Sequence, residues 1–264
     1  MPFTKDYFFR IGKTGRPQEY KYKCNICGIR ILHTRSFSTH NNKYHPKEQT
    51  RFFPSSRMKP YYQDESVTIY NADCRDVLPT LEKVDLVLTD PPYGIADVWK
   101  GGGDHGWAKS MDESVLRNEW DARPPDSALM KTICNSATAS IIWGGNYFDL
   151  PVSRGWLIWN KPERNFTLGE AELAWTNRDT VIRVYDANRS DVGRTHPTQK
   201  PISLMKWCIE TAANNPQTIL DPFMGSGTTL RGAKDLGRKA IGIELEERYC
   251  EIAAKRMSQL AMQL

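Results

Sequence analysis

The sequence predicts an α/β protein, in which a mostly parallel sheet lies between two helical layers and follows a small basic segment. Three observations predict this arrangement. Apolar runs of strand character alternate with helical segments over residues 61–264, as in open α/β sheets. Two of these runs, 84–89 and 218–220, end directly in polar loop motifs. Residues 1–60 carry 13 Lys and Arg against 3 Asp and Glu, which sets them apart as a separate domain.

The elements follow from periodicity and from β-branched and aromatic content. A long stretch without periodicity, 94–126, contains three glycines in a row and is predicted to be a mobile loop. Strands are expected at 66–70, 84–89, 140–143, 155–159, 172–175, 181–185, 218–220 and 240–243, and helices at 73–81, 128–136, 202–214, 230–236 and 246–262.

The first motif, Asp90-Pro91-Pro92-Tyr93, follows the apolar run 84–89. Asp90 offers a carboxylate, and the two prolines remove backbone donors and leave carbonyl acceptors. Tyr93 adds a flat ring on which a base can stack. Together they suit a planar base with an exocyclic amino group. The alternative is a Pro-Pro turn that caps a buried strand, with Asp90 bonded to its own backbone.

The second motif, residues 221–229, reads Asp-Pro-Phe-Met-Gly-Ser-Gly-Thr-Thr between a predicted strand and helix. Its glycines permit a sharp turn and the close approach of a ligand to the backbone. The next predicted strand ends in Glu244, where a βαβ unit binds ribose hydroxyls. The motif is neither a dinucleotide fingerprint nor a P-loop, because residue 230 is Leu and no Lys follows the glycines.

Together these motifs resemble the β class of S-adenosylmethionine-dependent DNA amino-methyltransferases, in which the catalytic motif precedes the cofactor motif. The segments 196–201 (His-Pro-Thr-Gln-Lys-Pro) and 72–74 (Ala-Asp-Cys) also match the family. The resemblance covers residues 66–258 and implies a Rossmann-like three-layer methyltransferase sheet with circularly permuted motif order. It implies catalytic roles for Asp90, Pro91, Pro92 and Tyr93, and cofactor-binding roles for Asp73, Thr198, Gln199, Lys200, Asp221, Phe223, Gly225, Ser226, Gly227, Thr228 and Glu244.

The implied reaction is direct transfer of a methyl group to the amino group of a flipped-out base. In this family, Asp before Pro-Pro-Tyr usually accompanies N6-adenine methylation, so adenine N6 is the expected target and cytosine N4 the alternative. Methylation of RNA or of a protein amide, and a DNA-binding regulator with an inactive catalytic body, are further alternatives. Double-stranded DNA, a homodimer and a restriction-modification context are expected from the same resemblance.

The basic segment has the pattern of a Cys2His2 zinc finger, with ligands Cys24, Cys27, His40 and His45. Tyr22, Ile31 and Phe37 fall at its three core positions. So short a module needs the metal in order to fold. The alternative is a chance pairing of two cysteines with two histidines. One structural Zn2+ is therefore predicted, in a domain 1–60 that precedes a catalytic domain 61–264.

One DNA-contacting surface is predicted on the zinc finger and another on the catalytic domain. If His40 is the seventh helical residue, positions 33, 35, 36 and 39 face the groove. A protein-binding finger and a merely solubilising charge are the alternatives. Loop 94–126 and stretch 183–194 are further candidates, although tryptophans 143, 156, 159 and 175 suit packing of the sheet equally well. The DNA-contact candidates are His33, Arg35, Ser36, Thr39, Arg183, Arg189 and Arg194.

The composition indicates which broad class of protein this chain belongs to. The chain has 264 residues, 39% hydrophobic and 25% charged, as in an ordinary globular protein. No apolar stretch approaches the ~18 residues needed to span a bilayer, and the first residues lack an apolar signal region. Cysteines 74, 134, 208 and 250 are scattered singly, which does not suggest a disulfide framework. A cytoplasmic, nucleoid-associated protein is expected.

Overall fold

The computed structural model describes residues 58–95, 123–162, 169–188, 199–212 and 215–259, together with the backbone of 8–13, 20–24 and 30–31. The chain divides into two compact units, Met1–Ser56 and Arg57–Leu264; the sequence predicts the boundary after residue 60. In the first unit, β1 (Phe8–Lys13), β2 (Tyr20–Cys24) and β3 (Arg30–Ile31) form an antiparallel sheet.

The second unit is built on a nine-stranded sheet of order β10-β8-β9-β7-β6-β11-β12-β5-β4. All of these strands run in one direction except β4 and β9, which are antiparallel to their neighbours. The strands are β4 (Tyr62–Gln63), β5 (Val67–Asn71), β6 (Val84–Thr89), β7 (Ala137–Trp143), β8 (Trp156–Asn160), β9 (Ala171–Thr176), β10 (Arg183–Asp186), β11 (Thr218–Asp221) and β12 (Lys239–Glu244).

Helices cover both faces of this sheet, so the predicted α/β class with three layers is confirmed. They are α1 (Cys74–Val77), α2 (Ser127–Asn135), α3 (Ile202–Thr211), α4 (Thr228–Asp235) and α5 (Glu247–Ser258). Side chains of α3, α4 and α5 pack with Leu86 and Leu88 on one face, and side chains of α1 and α2 pack with Val87 on the other. This alternation follows the two-residue period of a strand.

Several boundaries differ from the sequence prediction. The predicted helix 73–81 is only the short α1, which continues as a 3₁₀ turn, Leu78–Thr80, containing Pro79. Proline has no N–H group to extend the α-helical hydrogen bonds. Helix α3 ends at Thr211 because Ala212 is extended, and β7 begins at Ala137, before the predicted residue 140.

The described cysteines and tryptophans belong largely to the interior. Cys74, Cys208 and Cys250 are buried free thiols, and Cys134 is a half-buried one. The indoles of Trp143, Trp159 and Trp175 are buried in the core, in agreement with the packing interpretation. Within the described part of the chain, no helix is long and apolar enough to cross a membrane.

The sheet has a topological switch point between β6 and β11. The chain leaves β6 toward β7 and leaves β11 toward β12, on opposite sides. A hydrogen bond joins the two carboxyl ends, because the Thr89 hydroxyl donates to Asp221 Oδ1 at 2.7 Å. The Phe223 amide donates to the same oxygen at 3.2 Å. Because ligands bind at such a switch point, this bond fixes the floor of the candidate site.

Burial of Asp221 makes stability depend on pH. Burial raises the pKa of its carboxyl to about 6, although the hydrogen bonds oppose the rise. A raised pKa contributes stability that is complete below the unfolded value and lost as pH rises through 6. Asp221→Asn keeps the acceptor oxygen without the charge. We expect its free energy of unfolding to rise relative to wild type between pH 4 and pH 7.5, by roughly 2–3 kcal/mol.

Denaturant unfolding at several pH values measures this difference. Asp85→Asn is a control of opposite sign, because the Gln217 and Thr218 amides lower the pKa of the exposed Asp85. Relative to wild type, that variant should lose stability as pH rises. An Asp221→Asn difference that is the same at pH 4 and pH 7.5 would contradict the assignment.

Candidate functional site

Side chains from four parts of the second unit meet at the carboxyl edge of the sheet. The Asp90–Tyr93 motif follows β6, Lys161 follows β8, and Lys200 directly precedes α3. Glu172 lies near the start of β9. Since β9 runs antiparallel to β7 and β8, its first residues lie at the edge where those strands end. The sheet topology therefore gathers residues that are far apart in sequence.

The Asp90 carboxylate is held by two donors. Lys200 Nζ donates to Asp90 Oδ2 at 2.5 Å, and the Tyr93 hydroxyl donates to Oδ1. The Lys200 side chain is only 4% exposed, whereas the Asp90 side chain is 32% exposed. Asp90 is thus reachable from outside while its cationic partner is not. Each carboxylate oxygen has two acceptor positions, so each keeps one for a further donor.

Lys200 and a second lysine share another carboxylate. Lys200 Nζ lies 3.1 Å from Glu172 Oε2, and Lys161 Nζ lies 2.5 Å from Glu172 Oε1. The Lys161 side chain is 6% exposed, and its ammonium lies 4.7 Å from the centre of the Trp159 ring. Asp90, Lys200, Glu172 and Lys161 form an alternating row of charges, hereafter the charge row. Sequence analysis missed Lys161 and Glu172.

The pKa shifts follow from burial and from these pairings. Burial raises the pKa of Asp90, and Glu172 adds to the rise, while Lys200 and Tyr93 lower it. Burial would also raise the pKa of Glu172, but the two lysines outweigh it and lower the pKa to about 2. Burial opposes the charge on Lys200, yet the two carboxylates raise its pKa. Burial and the Asp90 charge raise the pKa of the Tyr93 phenol, which remains a donor at neutral pH.

Tyr93 is fixed by aromatic neighbours and by a glycine. Its ring stacks on Tyr147 at 4.9 Å between centroids and 11° between planes, and the Phe148 ring lies 6.2 Å away between centroids, inclined at 63°. Gly144 has φ +67°, and a Cβ there would overlap the Tyr93 ring. Only glycine both adopts this positive φ without strain and leaves room for the Tyr93 ring. Gly144 and Tyr147 were not found by sequence analysis, because neither belongs to a recognisable motif.

The glycine loop is anchored to the end of β12. The Gly225 amide donates to Glu244 Oε2 at 3.0 Å, and the Glu246 amide donates to Oε1 at 2.8 Å. Burial raises the pKa of Glu244, although these amides oppose the rise. Gly225 has φ +50°, and, its two chain neighbours aside, no atom of the described residues lies within 4 Å of the position where a Cβ would project. The loop therefore leaves open space beside a carboxylate.

A second set of bonds ties this loop to the C-terminal helix. Arg256 donates from Nη1 to the Ser226 carbonyl at 2.6 Å and from Nη2 to Gln199 Oε1 at 3.4 Å. The Ser226 hydroxyl also donates to Gln199 Oε1, at 3.2 Å. Two residues predicted to bind the cofactor, Ser226 and Gln199, thus bond to each other. Arg256 was absent from the sequence prediction.

The other predicted cofactor residues fall into two groups. Asp73 follows β5, the strand beside β12, where its carboxylate caps α1 by accepting from the Arg75 amide at 2.8 Å. Its side chain is 39% exposed. Phe223 is half-buried in the face packed by α1 and α2. By contrast, Asp221 and Thr228 are buried, and Lys200 lies against Asp90 at 2.5 Å.

Several predicted residues lie outside the described part of the chain. Arg183 is described, as the exposed first residue of β10 at the sheet edge. Among the described side chains, no cluster of three or more His, Cys, Asp or Glu is arranged to hold a metal ion. The predictions outside the described side chains are Cys24, Cys27, His40 and His45 for zinc, His33, Arg35, Ser36, Thr39, Arg189 and Arg194 for DNA, and Thr198 for the cofactor.

Comparison with known proteins agrees with this geometry. A family model described as DNA methylase, of the N6/N4 type, matches residues 151–255. Type II methyltransferase M2.DpnII of Streptococcus pneumoniae is 52% identical over 247 residues, covering 75% of this chain and 92% of that protein. Type II methyltransferase M2.MboI of Moraxella bovis is 25% identical over 262 residues, covering 77% and 93%.

Two solved structures share the fold. The M1.HpyAVI–SAM complex has a TM-score of 0.50 at 22% identity, covering 73% of this chain and 100% of that one. The cytosine-N4-specific PvuII DNA methyltransferase has a TM-score of 0.53 at 16% identity, covering 78% and 91%. With the 52% identical relative matched over 92% of its length, these findings place the chain in the family of N6/N4-type DNA methyltransferases.

Proposed function

We propose that this chain transfers a methyl group from S-adenosylmethionine to the N6 amino group of adenine in double-stranded DNA. One observation carries the proposal. The Asp90 motif and the glycine loop follow β6 and β11, the neighbouring strands of the switch point, whose ends are joined by the 2.7 Å bond from Thr89 to Asp221. An amine acceptor and a nucleoside cradle therefore adjoin each other, as group transfer between them requires.

The residues of the glycine loop fit this cofactor. Open space beside Gly225 lets a ligand approach the backbone. Glu244 and Asp73, at the ends of the neighbouring strands β12 and β5, provide carboxylates for hydroxyl and amino groups, and Phe223 provides an aromatic surface. When bound, S-adenosylmethionine supplies an electrophilic methyl group on its sulfonium. Gln199, Ser226 and Arg256 hold the loop in shape.

At the other end of the site, Asp90 receives the amine. Its free acceptor positions, together with a carbonyl of Pro91 or Pro92, accept the N–H bonds of the exocyclic amino group and orient its lone pair. As the nitrogen gains positive charge, the carboxylate stabilises it, and Asp90 accepts the proton that the amine loses. Its raised pKa brings the carboxylate nearer to that task than an ordinary aspartate.

Tyr93 provides the surface for the base. Tyr147 stacks on this ring and is 47% exposed, so a flipped base is proposed to take the place of Tyr147. Such stacking offsets part of the cost of removing the base from the duplex. Arg183, at the exposed sheet edge, together with Arg189 and Arg194, is proposed to contact the DNA backbone.

The preference for adenine rests on Asp90 as the first residue of the motif, which in the family usually accompanies N6 methylation. Cytosine N4 is the second candidate. One fold neighbour, the PvuII enzyme, is cytosine-N4-specific. Both bases present an amino group on a planar ring, so Asp90 and Tyr93 suit either. The expected homodimer and the restriction-modification context remain predictions.

We also propose that Cys24, Cys27, His40 and His45 bind one structural zinc ion and that the finger contacts DNA through His33, Arg35, Ser36 and Thr39. The backbone of the first unit supports this. Strand β2 ends at Cys24, and Tyr22 of β2 pairs antiparallel with Ile31 of β3. The Cys-x2-Cys sequence therefore lies at the connection between two paired strands, in keeping with the two strands that precede the helix in a Cys2His2 finger.

Replacing Asp90 tests the catalytic proposal. We expect Asp90→Asn and Asp90→Ala to lower the rate of methyl transfer at least about 100-fold, because both lose the carboxylate charge that stabilises the nitrogen, and Ala loses the acceptor oxygens as well. S-adenosylmethionine binding should be retained, because Asp90 lies outside the glycine loop. The measurement is transfer of labelled methyl groups to unmethylated DNA, followed by nucleoside mass spectrometry, with cofactor binding followed by calorimetry. Asp76→Asn, on the exposed side of α1, is the control.

The outcomes separate the candidates. N6-methyladenine supports the proposal, whereas N4-methylcytosine keeps the mechanism and changes the base. Label in RNA or protein acceptors alone, or bound cofactor without any turnover, would overturn the DNA methyltransferase assignment for this chain. Equal loss of cofactor binding and transfer in Asp90→Asn would remove the amine-gripping role.

Zinc content tests the finger. We expect about one zinc per full-length chain by plasma mass spectrometry, and loss of that zinc in Cys27→Ser and His40→Ala, since each removes one of four ligands. Cys134→Ser, a half-buried thiol of the second unit, should retain the metal. Zinc that persists in both ligand variants, or is absent from wild type, would rule out the finger.

A further inference from the structure

We propose that Glu172 and Lys161 are positioning residues for methyl transfer, which act through Lys200 to set the orientation and charge of Asp90. The inference rests on the proposed function, because it concerns how the acceptor of the amine is prepared. Neither residue belongs to a motif, and they come from the start of β9 and the end of β8.

Lys200 is held in place by two carboxylates. Lys200 Nζ lies 2.5 Å from Asp90 Oδ2 and 3.1 Å from Glu172 Oε2, so its ammonium is bound between two carboxylates. Glu172 is bound in turn by Lys161 at 2.5 Å, through its other oxygen. Each lysine side chain is at most 6% exposed. These contacts therefore fix the position of the Lys200 ammonium from the buried side of the site. Through Lys200 they also fix the orientation of the Asp90 carboxylate.

Stability does not account for the charge row. Burying charges is costly, and a buried ion pair is often no more stabilising than apolar side chains of similar size. Stability alone therefore gives little reason for four charges at this edge of the sheet. What the charge row provides, and apolar packing does not, is a carboxylate of defined charge at its exposed end. Asp90 is that end, with 32% of its side chain exposed.

Lys200 divides its positive charge between Asp90 and Glu172. Without Lys161, the uncompensated charge of Glu172 would attract the Lys200 ammonium more strongly and weaken its ion pair with Asp90. Without Glu172, Lys200 would pair with Asp90 alone and lower the pKa of Asp90, which would make Asp90 a weaker proton acceptor. Among the described side chains, the charged and titratable groups that act on Asp90 include Lys200, Glu172, Tyr93 and Asp221. Glu172 acts on Asp90 through its own negative charge and shares Lys200 with it.

On the acid side of the pH profile, kcat falls as Asp90 becomes protonated; this fall is the acid limb. Two substitutions are expected to move the acid limb in opposite directions. Glu172→Gln removes a negative charge near Asp90, so the pKa of Asp90 falls and the limb moves to lower pH. Lys161→Met leaves Glu172 to draw on Lys200, so the pKa of Asp90 rises and the limb moves to higher pH. Because Asp90 is also less well oriented, kcat should fall about 10- to 100-fold, while the KM for DNA and the affinity for S-adenosylmethionine change little.

The experiment uses the full-length protein and compares each variant with wild type in one assay. Glu82→Gln and Lys83→Met, two exposed neighbours just before β6, are the charge-matched controls and should leave the profile unchanged. Lys161→Met/Glu172→Gln removes one charge of each sign, which keeps the test available if a single variant folds poorly. With Lys200 paired to Asp90 alone, the limb of this double variant should lie below that of wild type.

Active wild type with variants whose acid limbs stay in place would overturn the inference while leaving the proposed function intact. That result, even with a lowered kcat, would indicate that the two residues serve stability alone. Failure of the proposed function is seen separately, as wild-type protein that methylates no DNA.

Discussion

The contact of the buried Lys200 ammonium with the Asp90 and Glu172 carboxylates is the interaction on which the rest of the site depends. An ammonium that is almost fully removed from water needs compensation, and these two acceptors, at 2.5 and 3.1 Å, provide it. Their partners then follow: Tyr93 donates to the other oxygen of Asp90, and Lys161 to the other oxygen of Glu172. The candidate catalytic carboxylate is therefore held in place before any substrate arrives.

The same constraint explains why the site lies where it does. Asp90 and the glycine loop extend from β6 and β11, whose carboxyl ends are joined by Thr89 and Asp221. Glu172 arrives from the other half of the sheet, because β9 is inserted antiparallel between β7 and β8. The parallel half of the sheet supplies the glycine loop and Asp90. The half that contains β9 supplies Glu172 and Lys161, which lie on the buried side of Lys200. The preorganisation expected of an enzyme site thus follows from strand order.

Short sequence patterns predicted the strands and the two loop motifs, but not the contacts that depend on the order of the strands. Strand β6 has the predicted bounds, and the Asp90 motif and the glycine loop both follow strands, because short apolar runs that end in Pro- or Gly-containing loops can be read without knowing the fold. Glu172 was placed in a strand but given no role, since its partners, Lys161 and Lys200, meet it only through the order of the strands. Gly144 is marked only by its contact with Tyr93. Lys200, assigned to the cofactor by resemblance, has Asp90 and Glu172 as its ion-pair partners, which its motif alone did not indicate.

The most direct test of this account is a double-mutant cycle of Asp90→Asn and Lys200→Met, read as the free energy of unfolding. If the buried ammonium binds Asp90 as described, each single variant leaves a charge with one ionic partner fewer, and the double variant should cost less than the sum of the two. The account predicts a coupling of about 1–3 kcal/mol. Costs that add within experimental error would show that the two side chains do not interact, and would contradict the arrangement on which the proposed chemistry depends.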